Sequence, residues 1–473
     1  MKSKIILAAA ALCIAASLQA KVVLPSFFGD NMVLQQNADV AIWGTTDKGP
    51  KTVTVAPSWT RTKYKVTADA AGKWFLRIPT PSAGGPYSIC FNDGDKLTIS
   101  NVLLGEVWFC SGQSNMEMPM NGFDSQPVEG GTDVILGAKP SVPIRMCTIK
   151  RKASLVPVDT SVGSWEENTP EAVAGTSATA YFFAQRLHEV LGVPVGLLIT
   201  DWGGSHIEAW INRETLEAGF KEEFDLAFLE GSEVPKKPHH KPCLLFNGQV
   251  APLVPFTFKG MLWYQGEANR LHPEQYTRLQ PAYVKMMREL FENPEAPFYF
   301  VQIAPYKYDN PDDIDVGIFN LAQEKTLALI PNSGMAATVD VGEFGTIHPR
   351  KKKQVGDRLA FQALVKTYGI KGIEADAPTF KSVVFQDGMA LVTMNAGPRG
   401  ISPRGQDLTG FELAGEDGVW YPATARVSKV YNLKVTSEHV PAPVKVRYCM
   451  HDWSVGTVFN GFGIPALPFT TDN

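Results

Sequence analysis

Between residues 21 and 101, apolar positions come in short runs of strand length: Val40 to Trp43, Lys51 to Val55, Tyr64 to Ala68, Trp74 to Ile78, Tyr87 to Phe91 and Lys96 to Ile99. Gly-Lys, Gly-Gly-Pro and Asp-Gly-Asp turns separate them, so this stretch predicts a small antiparallel β-sandwich. The period then changes. Val102 to Cys110 is a continuous apolar strand, and from Thr179 to Leu191 the residues Ala180, Phe183, Ala184, Leu187 and Leu191 share one helical face that Gly192 and Pro194 end. Strands follow at Val195 to Thr200, Gly260 to Tyr264, Phe298 to Ile303 and Met335 to Val339, alternating with helical patterns at Pro273 to Asn293, Asn320 to Leu329 and Pro349 to Lys366. Such alternation predicts an α/β layer, a parallel sheet covered on both faces.

Beyond about Gly372 the helical period disappears. Ser382 to Phe385, Met389 to Met394, Phe411 to Ala414, Ala423 to Val430, Leu433 to Ser437 and Val444 to Tyr448 predict a second antiparallel β-sandwich. The expected division is therefore a leader at residues 1–20, an N-terminal β-domain at 21–101, a catalytic α/β domain at 102–372 and a C-terminal β-sandwich at 373–473. The charged, Pro-rich stretch from Gly219 to Pro255 is read as an excursion from the sheet.

The leader rests on its own pattern. Lys2 and Lys4 precede an apolar run from Ile5 to Ala16, and small or polar residues lead to Ala20, which is the layout of a secretory signal peptide. The expected location is periplasmic or secreted. No later stretch approaches the length of apolar chain that spans a bilayer, so membrane insertion is not expected. The 44 basic and 48 acidic residues leave a net charge of −4, no footprint for nucleic acid. Besides Cys13, the cysteines at 90, 110, 147, 243 and 449 are irregularly spaced and odd in number, which leaves at least one free thiol unless a bridge joins two chains. His239 and His240 have no partner cysteine or helical register and are read as a solvated loop, so no structural metal is expected.

Candidate chemistry collects at four strand ends, where an open parallel sheet places its reactive groups. After the first strand stands Gly112-Gln113-Ser114-Asn115-Met116-Glu117; the Ser114 hydroxyl there needs a base and peptide N–H donors to act as a nucleophile. After the second stands Asp201-Trp202-Gly203-Gly204-Ser205-His206, whose glycines let an amide approach a substrate oxygen; His206 is a base by chemistry and a packing residue by its Trp202 and Trp210 neighbours. After the third, Trp263-Tyr264-Gln265-Gly266-Glu267-Ala268-Asn269 offers Gln265 as a neutral donor to the same oxygen, with Glu267 as a loop-orienting group. After the fourth, His348 is the leading general base, with Asp340 or Glu343 as the acid that orients it. Trp202, Trp210, Trp263, Tyr264, Met116, Met118 and Met120 offer an apolar wall for a sugar face, or core.

Taken in order, Gly-Gln-Ser-Asn-Met-Glu, Trp-Gly-Gly-Ser-x-x-Glu-Ala-Trp, Trp-Tyr-Gln-Gly-Glu-Ala-Asn and Ile-His-Pro-x-x-Lys resemble the sialate O-acetylesterase family of the SGNH hydrolases, over roughly Leu104 to Ala363. The resemblance implies an SGNH-type three-layer hydrolase domain between the two β-regions. It implies Ser114 as nucleophile, His348 as base, and the Ser114 amide, a Gly203 or Gly204 amide and the Gln265 side chain as oxyanion donors. The chain departs from the pattern where such enzymes carry an Asp two or three residues before the histidine; those positions are Thr346 and Gly345. Asp340 or Glu343 then reaches the imidazole from further back, or a backbone carbonyl orients it in a dyad. The expected activity is removal of acetyl groups from sugar hydroxyls through an acyl-enzyme, without a cofactor, on an O-acetylated glycan or sialic acid; the resemblance favours the 9-O-acetyl ester. An esterase of acetylated xylan or xyloglucan is the alternative among enzymes, and a non-catalytic glycan-binding protein the alternative outside them.

Overall fold

The computed structural model describes residues 22–47, 49–309, 313–402 and 407–472; the expected leader at 1–20 lies outside them. Its centre is a sheet in which Ser333–Ala336, Phe298–Val301, Gly260–Tyr264, Lys96–Gly112, Val195–Asp201 and Ile144–Thr148 lie side by side in that order, all parallel. The short strand Trp165–Glu166 closes one edge antiparallel. The fold is thus mixed α/β.

Alternate residues along these strands feed two cores, as the two-residue strand period requires. Trp108, Cys110, Leu197, Ile199, Leu262 and Tyr299 face the helices Ala178–Leu191 and Lys352–Gln362. Phe109, Leu198, Met261, Trp263, Phe298 and Phe300 face Pro273–Leu290 and Asp315–Leu329. On the first face the two helices approach so closely that a Cβ on Gly356 would lie 2.6 Å from Phe182 Cβ; glycine is what lets the backbones meet there.

The N-terminal region departs from the expected separate sandwich. Lys96–Ile99 and Val102–Cys110, read as two strands, are one strand of 17 residues, Lys96–Gly112. Its first half pairs antiparallel with Gly84–Asn92, and its second half lies inside the parallel sheet. Asn101, at φ +56°, marks the bend between the halves and donates to Asn31 Oδ1 at 2.7 Å. Thr52–Pro57, Tyr64–Thr67 and Val33–Gln35 extend this sheet, while Asp39–Thr45 and Lys73–Pro79 form a two-stranded ladder. Val53, Val55, Phe91 and Ile99 share one continuous core with Phe109 and Trp263.

The C-terminal region has a core of its own, built on Val392, Phe411, Leu433, Val446 and Phe469. Instead of a two-sheet sandwich it is one seven-stranded antiparallel sheet with a separate ladder between Ile401–Ser402 and Phe459–Asn460. Asp452 ties it to the α/β layer by accepting from the Val316 amide at 2.8 Å, and the Gly456 amide donates to Val339 O at 2.9 Å. Among the described residues no helix is long and apolar enough to cross a membrane.

The strand order explains where chemistry can occur. Lys96–Gly112 enters the parallel sheet first; the chain then lays down Ile144–Thr148 and Trp165–Glu166 on one side, returns inward to Val195–Asp201, and crosses to Gly260–Tyr264 on the other. At such a switch point the loops leaving adjacent strands diverge and open a crevice at their carboxyl ends. The loops that begin at Gln113, Trp202 and Gln265 all start there.

Candidate active site

The turn that carries Ser114 is set by backbone constraint. Gly112 has φ +149°, and a Cβ there would sit 2.1 Å from the Tyr264 carbonyl oxygen, so the two strand ends approach as only glycine permits. The Gln113 amide donates to Tyr264 O at 2.9 Å, and its side-chain oxygen accepts from the Gly266 and Ala268 amides at 3.3 and 3.2 Å. Ser114 then opens a single helical turn, Ser114–Glu117, with its side chain half-buried.

His348 meets it. His348 Nε2 lies 2.8 Å from Ser114 Oγ across 234 residues of chain. The other ring nitrogen, Nδ1, is 2.8 Å from Gln126 Oε1, and Gln126 Oε1 also accepts from Thr346 Oγ1 at 2.8 Å. An amide oxygen can only accept, so Nδ1 carries the proton and Nε2 presents its lone pair to the Ser114 hydroxyl. The Phe123 ring packs edge-on against the imidazole, 5.1 Å between centroids. Phe123 and Gln126 come from one tight turn in which each amide donates to the other's carbonyl, at 3.1 and 2.9 Å.

This corrects the expected acid. Asp340 forms a two-point ion pair with Arg358, both contacts 2.7 Å, and Glu343 accepts from the Arg350 amide at 2.9 Å. Both carboxylates are committed to neighbouring cations or amides, and a loop 222 residues earlier supplies the orienting group instead. Gln126 was not legible beforehand: an amide in a polar loop carries no spacing signal, and the missing acid before His348 showed only that the partner had to come from elsewhere.

The donors expected for a developing oxyanion are divided. Gln265 is fully buried, and its Nε2 donates to Ser205 O at 3.0 Å and Asn269 Oδ1 at 2.7 Å. Both its hydrogens are used, so Gln265 braces the second loop against the third rather than facing a substrate oxygen. The Gly203 amide donates to Glu117 Oε2 at 2.6 Å, and a Cβ on Gly203 would lie 3.3 Å from Ser114 Cβ. Gly204, in the left-handed region at φ +71°, follows on the same turn.

Other expectations are also revised. Trp210, Trp263, Tyr264, Met116, Met118 and Met120 are at most 1% exposed and belong to the core; of the expected wall only Trp202 reaches the surface. Trp202 stacks on His239 at 5.8 Å and 14°, with the Arg151 guanidinium 5.5 Å from its ring and ion-paired to Glu117. His239 and His240 are half-buried rather than solvated, because the 219–255 excursion carries the buried run Cys243 to Phe246 and folds back over the sheet. His206 stacks on His240 at 4.7 Å and holds Glu208 Oε1 at 3.0 Å, so it packs, while His348 is the imidazole that meets Ser114. Burial, then His240, His206, Arg151 and Lys237, hold His239 down to about 4. Among the described residues no group of His, Cys, Asp or Glu side chains is arranged to hold a metal ion, and the five cysteines are unpaired.

Burial first, and then the nearby Lys352 cation, depress His348 from the usual imidazole value to about 4. The ring is therefore neutral and able to accept a proton at neutral pH.

Residues 104–365 match the family model described as carbohydrate esterase, sialic acid-specific acetylesterase. The chain belongs to this family. It is accordingly a carboxylic ester hydrolase. The family's sialate O-acetylesterase from mouse is 27% identical over 90% of this chain and 89% of its own. The human sialate O-acetylesterase is 28% identical over 75% of this chain and 72% of its own. A solved carbohydrate acetylesterase from Xanthomonas citri superposes with a TM-score of 0.86, at 31% identity, over 96% of this chain and all of that one. The family match spans all four strand-end motifs, from before Ser114 to beyond His348.

Proposed function

We propose that the protein is a secreted sialate 9-O-acetylesterase of SGNH type that works through an acetyl-enzyme on Ser114. The observation that carries this reading is the 2.8 Å contact between Ser114 Oγ and His348 Nε2 at the crevice of the sheet. Ser114 Oγ attacks the acetyl carbonyl carbon as its proton passes to His348 Nε2. The negative charge on the carbonyl oxygen falls to the amides of Ser114 and Gly204, which make no hydrogen bond among the described residues. The imidazolium then protonates the departing sugar oxygen, and water repeats the sequence to release acetate and restore the Ser114 hydroxyl. Throughout, Gln126 holds Nδ1–H, as a neutral acceptor in place of the usual carboxylate.

The Lys2, Lys4 and Ile5 to Ala16 pattern supports export to a periplasm or beyond. The family description and the mammalian relatives support sialic acid as the acetylated sugar. The test compares initial rates of acetate release from 9-O-acetylated mucin and from acetylated xylan and xyloglucan at equal acetyl content. Faster release from mucin is expected. Preference for either hemicellulose would move the substrate to plant cell-wall glycans and leave the mechanism in place.

The Gln126 contact predicts a particular pH response. Because only neutral His348 accepts a proton and its pKa is depressed, kcat/KM is expected to hold as pH falls through 6 and to drop only toward about 4. Gln126→Glu places an anion on Nδ1–H, which favours imidazolium and should raise that acid limb by about one unit or more. Gln126→Ala removes the group that selects the tautomer and should lower kcat about tenfold, the equivalent of one hydrogen bond. An acid limb unmoved in Gln126→Glu would show that the amide does not face the working imidazole.

A further inference from the structure

Lys352 lies four residues beyond His348, at the start of the helix Lys352–Gln362, and is completely buried, yet the proposed mechanism gives it no proton to move. A buried ammonium without a partner is strongly destabilising, so its surroundings should show what holds it. Its Nζ donates to Asn115 Oδ1 at 2.5 Å and lies 5.5 Å from the Tyr264 ring centroid. The other end of the same amide donates from Nδ2 to Glu267 Oε1 at 2.6 Å and to Ile347 O at 3.1 Å. Thr179 Oγ1 fixes Asn115 from behind by donating to its carbonyl at 3.1 Å. Asn115 is the residue after the nucleophile, and Ile347 the residue before the base.

We propose that Lys352 and Glu267 are positioning residues that clamp Asn115 at its oxygen and nitrogen ends, so that Asn115 holds the Ser114 turn and the His348 loop at reacting distance. A donating amine at one end and an accepting carboxyl oxygen at the other leave the amide only one favourable orientation. In that orientation Nδ2 faces the Ile347 carbonyl; turned over, two oxygens would meet there. The two ends thus convert a neutral side chain into a directional tie between two loops joined otherwise by the Ser114–His348 contact itself. Burial pulls Lys352 down to about 7 against the Glu267 and Glu343 carboxylates, which favour its charge, with the Tyr264 ring and His348 also facing it; burial likewise raises Glu267. The same cation opposes a proton on His348, which keeps the base in its accepting form.

This inference rests on the serine-esterase reading, and the experiment separates the two. Lys352→Met keeps the length of the side chain and removes the charge; Lys352→Met with Glu267→Gln leaves both ends neutral, so that no unpaired buried charge prevents folding. Steady-state rates on 4-nitrophenyl acetate, corrected for the active fraction by titration with a serine-directed phosphonate, are measured from pH 4 to 9. For both variants kcat is expected to fall at least tenfold with KM within about twofold, since a small ester binds without the tie. The acid limb should rise measurably above the wild-type limb and stay below the ordinary imidazole value, because the opposing cation is gone while burial, the larger cause, remains. A folded double variant with wild-type kcat and an unmoved acid limb would show that the buried triplet is only packing, and would overturn the proposal. Undiminished turnover by Ser114→Ala would instead overturn the serine mechanism.

Discussion

Replacement of Ser114 by Ala is expected to abolish turnover of an acetyl ester, lowering kcat by about 10⁴- to 10⁶-fold while the protein stays folded. The side chain is half-buried and its hydroxyl makes one contact among the described residues, with His348 Nε2, so its loss removes the attacking atom and little packing. His348→Ala should fall in the same range. Without the imidazole the hydroxyl keeps its proton at neutral pH and the departing sugar oxygen receives none. The double variant should be hardly slower than either single one, because nucleophile and base act as a unit and not as two additive terms. The measurement is acetate release under saturating substrate, with thermal melting to show that each variant is folded. Phosphonate labelling lost in Ser114→Ala and strongly slowed in His348→Ala would complete the assignment. A folded His348→Ala that retains a tenth of the wild-type rate would mean that another group takes the proton.

The largest effect on stability is expected at Gly112, through the backbone rather than the chemistry. Its φ of +149° disfavours any side chain, and a Cβ would meet the Tyr264 carbonyl oxygen at 2.1 Å. That carbonyl already accepts the Gln113 amide, so neither strand end can withdraw without breaking the register of Gly112 with Tyr264. Gly112→Ala should cost about 3 kcal/mol or more, the sum of backbone strain and overpacking, and melt several degrees below the wild type. Activity should fall with it, because the displaced turn carries Ser114. Gly137→Ala is the control. That glycine ends the short helix Gly131–Gly137, faces open space and should change the melting temperature little. Equal melting shifts in the two variants would show that the close approach at Gly112 is not what holds the turn.

Much of the architecture was readable from local pattern. The central strands after Val195 and the helices around Ala178–Leu191 and Pro273–Leu290 stand where periodicity placed them, because each buries a face whose residues recur at the element's own period. Places where the reading was revised share another cause. The strand Lys96–Gly112 reads as two because its turn-like Ser100 and Asn101 interrupt the apolar pattern; pairing with Gly84–Asn92 on one half and Val195–Asp201 on the other makes it continuous. Trp210, Trp263 and Tyr264 read as core more readily than as sugar wall, and the packing of helices on the sheet decides for core.

The chain on its own determined which chemistry was on offer: a serine, a histidine and paired glycines at strand ends, in an order that resembles one esterase family. That much follows because strand period, turn residues and motif spacing are local properties. Which groups touch was decided by the tertiary structure alone. Hydrogen bonds form between atoms about 3 Å apart whatever their separation along the chain. Thus Gln126 came to orient His348, Asp340 and Glu343 went to arginines, and Lys352 was sealed against Asn115.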